Sequence, residues 1–160
     1  PDQMQGLIND TLQGQHYNNI NFLPVLAKNS EVNEFLNSID IDLTGLSGGE
    51  GWNLPAFNST CLGKWSVVLN CTSHKDWATK DNSILVQPSG VMPCVDGVFF
   101  SKGQPFNQGN FYTWTEEEAI EGMEKAEKKV GQINAEGVKL GDKMTYSKTV
   151  DSILSLIFKG

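Results

Sequence analysis

A chain of 160 residues, 39% of them hydrophobic and 19% charged, fits one globular domain with one sizeable core. All 12 basic residues are Lys, and the absence of Arg at a net charge of −7 argues against a nucleic-acid reader, because Arg is the residue of bidentate base and phosphate recognition. No apolar run nears the ~20 residues that a membrane-crossing helix needs, and no basic-then-apolar start suggests a signal peptide. The expected location is therefore cytoplasmic, with a membrane-peripheral one as the alternative. The chain starts at Pro1 without an initiator Met, which reads as a trimmed start or a piece of a longer protein. Cys61, Cys71 and Cys94 are odd in number and lack Cys-x-x-Cys spacing, so they read as reduced, mostly buried thiols. With only His16 and His74 besides, no metal site is expected.

In chain order, residues 3–13 read as a short helix with Met4, Leu7, Ile8 and Leu12 on one face and Gly14 as its stop. Ile20-Asn21-Phe22-Leu23 reads as a strand ended by Pro24. Ser30 is placed to cap a helix with Val32, Phe35 and Leu36 inward. A strand follows at 39–44, then a glycine-rich stretch, then a helix from Ala56 to Gly63. Trp65 to Asn70 is a buried-looking strand rich in β-branched residues, and Ile84-Leu85-Val86 is another. Residues 87–114 lose periodicity and read as a long ordered excursion or a hairpin around Gly97-Val98-Phe99-Phe100. Thr115 and Glu118 form a capping-box pattern for a helix to about Val130 with Ile120, Met123 and Val130 inward. Residues 131–144 suit a short helix after a break, and Val150, Ile153, Leu154, Ile157 and Phe158 mark an amphipathic last helix. The alternation predicts an α/β fold, a Rossmann-like parallel sheet of about four strands flanked by helices.

The stretch Ser47-Gly48-Gly49-Glu50-Gly51-Trp52-Asn53-Leu54-Pro55 is the strongest functional signal. Its glycines permit a sharp bend and close approach of backbone to a ligand. Pro55 suits a first helical turn. Strand, glycine loop and helix start together offer N–H groups and the positive end of a helix dipole to an anion or a sugar hydroxyl. The polar run Cys71 to Trp77 follows the carboxyl end of the next strand, so it belongs beside the glycine loop. Within it, His74, Lys75 and Asp76 are placed for a phosphate or acceptor, against the simpler reading of a solvated loop.

Glu50-Gly51-Trp52-x-Leu54-Pro55 after a strand and Ser47 resembles the donor-sugar loop of retaining GT-B glycosyltransferases, particularly glycosyltransferase family four. Leu62-Gly63-Lys64-Trp65-Ser66-Val67-Val68-Leu69 and Ser83-Ile84-Leu85-Val86-Gln87-Pro88 resemble the segments that follow in that family. The resemblance covers roughly Phe22 to Pro88, and implies the C-terminal, donor-binding half of a GT-B fold as one domain over 1–160. It implies a nucleotide-diphosphate sugar as substrate, retaining transfer to an unidentified acceptor, and no cofactor. Glu50 would orient the donor sugar as the catalytic residue. The backbone of Ser47, Gly48, Gly49, Gly51, Trp52, Asn53 and Leu54 would steady sugar and diphosphate, and Leu23 and Pro24 would lie along the base. The family's second Glu is here Asn58, eight positions after Glu50, which weakens the expected ribose contact. The resemblance further implies an N-terminal lobe that this chain lacks, so the isolated chain is expected to turn over poorly. The alternative is a non-catalytic nucleotide-sugar-binding or protein-interaction module of the same fold. Self-association through the last helix is expected if that helix finds no cover.

Overall fold

The computed structural model describes residues 2–158, with side chains described from Gly6 onward. Two compact units are present, residues 1–32 and 33–160.

In the first unit, helix α1 (Asp2–Thr11) stops as expected. Gln13 and Gly14 both take positive φ, and the Gly14 N–H donates to the Asn9 carbonyl at 3.0 Å. The Met4 side chain, part of the predicted stripe, lies outside the described residues. Leu7, Ile8, Leu12, Ile20 and Phe22 surround an apolar hollow of about 270 Å³. Residues 20–23, expected as a strand, are irregular, and Phe22 and Leu23 are well exposed. Four residues caught between the Asn18-Asn19 turn and Pro24 find no neighbouring strand among the described residues, and an unpaired extended segment gains no ladder hydrogen bonds. Helix α2 (Asn29–Ser38), which contains the boundary between the units at Val32, begins before the predicted cap Ser30. Glu31 supplies the cap instead, accepting the N–H groups of Ala27 and Lys28 at 3.0 and 3.1 Å.

In the second unit, β1 (Ile41–Gly45), β2 (Trp65–Leu69) and β3 (Ile84–Val86) form a parallel sheet in that order. Trp65 lies opposite Ile41, and Val67 opposite Ile84. Every residue of the central strand is buried, as expected for a strand covered on both faces. Side chains alternate across it. Val67 and Leu69 join Cys71, Val86 and Ala126 in one core cluster. Val68 joins Ala56, Trp77 and Ala78 in the other. Helix α3 (Leu54–Cys61) covers the Val68 face, and α4 (Glu116–Glu127) the Val67 face. A 3-10 turn (Thr72–Asp76) takes the place of a helix between β2 and β3. Helix α5 (Ala135–Lys143) packs on α3. Its cap Asn134 is fully buried, donating to the Lys64 and Asn82 carbonyls and accepting the Gly137 N–H. The fold is thus Rossmann-like α/β, with three parallel strands among the described residues where about four were expected.

The excursion at 87–114 is a hairpin, and residues 97–100 lie in its long connecting loop. Strand β4 (Gly90–Pro93) pairs antiparallel with β5 (Asn110–Thr113). Gly97–Phe100 is a turn in the intervening loop, where the Asp96 carboxylate accepts N–H groups from Val98, Phe99 and Phe100.

The capping box at Thr115 and Glu118 is formed in both directions. The inward face of α4 is different from the one expected. Ala119, Gly122 and Ala126 are buried, while Ile120, Met123 and Val130 are exposed. Small residues let the helix approach the sheet closely. A Cβ at Gly122 would lie 2.7 Å from Val86 Cγ2 and 3.0 Å from Val67 Cγ1. Helix α6 (Tyr146–Ile157) has no buried residue. Among the described residues no helix is long and apolar enough to cross a membrane. Gly122→Val should overpack this contact and destabilise the fold by about 1–3 kcal/mol, read as a lowered urea midpoint at constant slope.

Candidate functional site

The site is built at the carboxyl ends of β1 and β2, where ligands bind in open α/β sheets. Asn53 fixes its geometry. It is buried, takes the left-handed conformation (φ 61°, ψ 70°), and caps α3. Its amide nitrogen donates to the Thr44 carbonyl at 2.8 Å, and its amide oxygen accepts the Ala56 N–H at 3.3 Å. One side chain thereby ties the end of β1 to the first turn of α3. Asn tolerates this backbone conformation better than most residues.

The loop between those two points is held by its carbonyl groups. Leu46 O accepts from Trp114 Nε1 at 2.8 Å and Gly48 O from the Tyr112 N–H at 3.0 Å. Glu50 O accepts from Ser73 Oγ at 3.0 Å, and Trp52 O from Trp77 Nε1 at 3.1 Å. The Cys71 thiol makes a weaker contact with Ser47 O at 3.9 Å. Among the described residues, the N–H groups of Gly49, Glu50, Gly51, Trp52 and Asn53 donate no hydrogen bond. The Glu50 side chain is half-buried, and its carboxylate has no hydrogen-bond or ion-pair partner among the described residues. Carbonyls turned to protein donors and N–H groups left free make a surface suited to oxygen-rich, anionic or hydroxylated ligands.

The expected meeting of the two loops is present, through Ser73 and Trp77 on the glycine loop. The side chains within the second loop divide. His74 is fully buried, its Nδ1 donating to the Leu69 carbonyl at 2.8 Å and its ring edge-on to Trp77. Its Nε2 is buried without a partner. Lys75 and Asp76 are exposed. The imidazole is therefore part of the wall, and only Lys75 and Asp76 extend toward solvent. Thr72, at the start of this turn, has φ 46°, a strained conformation for a β-branched residue that costs about 1–3 kcal/mol.

Other expected residues resolve individually. The Trp52 ring packs edge-on against Phe57, which packs on Trp77, so the Trp52 side chain serves an aromatic cluster while its N–H stays free. Leu54 and Asn58 lie one turn apart on the exposed face of α3. Leu23 and Pro24 belong to the first unit, in an irregular, exposed segment.

Gly48 and Gly49 have a structural explanation. A Cβ on Gly48 would sit 1.8 Å from the Tyr112 carbonyl oxygen, and one on Gly49 would sit 2.5 Å from the Phe111 ring. Both glycines admit β5, not an incoming ligand. Gly51 has open space around it. Ser73, Trp77, Phe111, Tyr112 and Trp114 were not anticipated as loop supports. The aromatic and Thr content of 110–113 is the one signal of a strand there, but nothing local says that it reaches the glycine loop.

No protein-family model matches the chain, and no curated protein matches it. Fold and site define a Rossmann-like α/β chain with a free N–H row and a free carboxylate at its strand ends. Gly48→Ala should displace β5 from this loop. Hydrogen exchange should show lost protection at the Tyr112 N–H, whose partner is Gly48 O, while core amides of β2 keep theirs.

Proposed function

We propose that this chain binds the donor of a retaining glycosyl transfer, a nucleotide-diphosphate sugar, at the loop from Ser47 to Leu54. The observation that carries the reading is the polarity of that loop: the carbonyls of Gly48, Glu50 and Trp52 are engaged by protein donors, while the N–H groups of residues 49–53 and the Glu50 carboxylate are left unengaged among the described residues. A sugar ring has hydroxyls that donate and a leaving diphosphate that accepts. Glu50 would accept hydrogen bonds from sugar hydroxyls, and the N–H groups would donate to sugar or diphosphate oxygens. Lys75, exposed on the neighbouring turn, is the near cation for a phosphate. Asn58, on the exposed face of α3, would reach ribose as a neutral donor and acceptor. No protein nucleophile is invoked. Transfer would rest on holding the reacting groups together and on electrostatic support of the departing diphosphate.

Isothermal titration with UDP-, GDP- and ADP-hexoses tests the reading. At least one should bind, and Glu50→Ala should weaken it by about 10–100-fold, the loss expected for hydrogen bonds to a charged group, with unchanged melting temperature. A silent panel, or binding indifferent to Glu50→Ala, overturns it.

A second reading, an interaction module, is favoured by one observation. Val150, Ile153, Leu154 and Ile157 form the apolar stripe of α6 and are each at least 44% exposed. Such a stripe suits pairing with the same helix of a second copy. Light scattering should then give a concentration-dependent mass that Leu154→Glu reduces to monomer. A monomer at all concentrations counts against it.

A further inference from the structure

The loop between β4 and β5 lines a hollow of about 620 Å³, open to solvent and within the ~300–1,000 Å³ range of small-molecule sites. We propose that it is a saccharide-binding subsite, separate from the glycine loop. Its place as the acceptor's seat rests on the transferase reading above; the binding of a sugar does not.

The lining carries the chemistry. Met92 and Phe106 supply apolar surface, and Gln104, Asn107, Gln108 and Asn110 supply side-chain amides. Lys102 is the charged residue of the lining, and no carboxylate belongs to it. Amides donate and accept at once, as the vicinal hydroxyls of a pyranose require, and the ring's C–H face suits an aromatic wall.

Two of these amides are held by one end only. Asn107 Oδ1 accepts the Gly109 N–H at 2.8 Å, leaving its NH₂ without a partner among the described residues. Gln108 Nε2 donates to the Ser101 carbonyl at 2.8 Å, leaving its oxygen without one. A polar group fixed at one atom and open at the other is preorganised, which lowers the entropy lost on binding.

The surrounding loop is ordered by its own hydrogen bonds. Cys94, buried in the lining, donates its N–H to the Gly109 carbonyl at 3.0 Å. At the tip, the N–H groups of Phe100 and Val98 hold the Asp96 carboxyl below the usual carboxylate range. Phe100 packs edge-on to Phe111, the residue that covers Gly49. The cavity therefore stands on the same hairpin that braces the glycine loop.

Saturation-transfer NMR with the methyl glycosides of glucose, galactose, mannose and N-acetylglucosamine tests the proposal on the whole chain. At least one glycoside should receive saturation, equally from wild type and Glu50→Ala. Asn107→Asp keeps an oxygen to accept from Gly109 and turns the open NH₂ donor into a charged acceptor. Phe106→Ala removes an exposed ring. Each should weaken binding about tenfold, with an unchanged melting temperature. No signal from any glycoside overturns the proposal, as does a signal that survives both substitutions together. A signal lost with Glu50→Ala also overturns it, because the sugar would then sit at the glycine loop.

Discussion

The structure depends on the bridge that Asn53 makes between the end of β1 and the start of α3. A strand that passes into a helix through a loop needs its last carbonyl and the helix's first N–H groups satisfied, or the junction frays. One buried amide meets both needs, on Thr44 O and Ala56 N. With both ends pinned, the carbonyls of Gly48, Glu50 and Trp52 meet protein donors while the N–H groups of residues 49–53 donate to none among the described residues. The same bridge sets α3 over Val68, so the core on that face and the shape of the loop have a common origin.

The elements legible in the sequence were those whose cause is local. The β-branched run of β2, the capping box at Thr115 and the stop at Gly14 each depend on neighbours a few residues away, and each formed where its pattern lay. The 20–23 segment has strand-like residues but no strand beside it, and pairing is a property of the partner. Helix α4 shows a different limit. Both Ile120/Met123 and Ala119/Gly122/Ala126 recur at helical spacing, and hydrophobicity favours the first set. The closely covered face of β2 and β3 selects the second, because close approach across a layer is decided by size.

The glycine loop was legible as a place of close approach, but what approaches was not. Glycine reports that a Cβ would clash and is silent on the identity of the neighbour. At Gly48 and Gly49 the neighbour is a strand far along the chain, so two residues expected to face a sugar face Tyr112 and Phe111 instead. Gly51 has open space and the Glu50 carboxylate has no partner among the described residues. His74 was misread in the other direction: a polar residue on a turn after a strand is usually wet, yet here its ring is needed to pack against Trp77. Lone residue types do not reveal which of two neighbouring side chains, His74 or Lys75, turns inward.

Four separate segments hold this one loop: the Asn53 bridge, the turn carrying Ser73, the Trp77 indole, and the hairpin with Tyr112 leading into Trp114. Each donates to a carbonyl, so the backbone of the loop is fixed by the fold while the N–H groups of residues 49–53 make no hydrogen bond among the described residues. A backbone fixed in this way is the kind of setting in which dipoles need no rearrangement to stabilise charge. It also gives the strain at Thr72 a physical context. The backbone there is bent into a costly conformation at the start of the turn that brings Ser73 to Glu50 O. A turn that relaxed would release the strain and lose that bond, so the surrounding packing of Cys71, His74 and Trp77 must hold it in place.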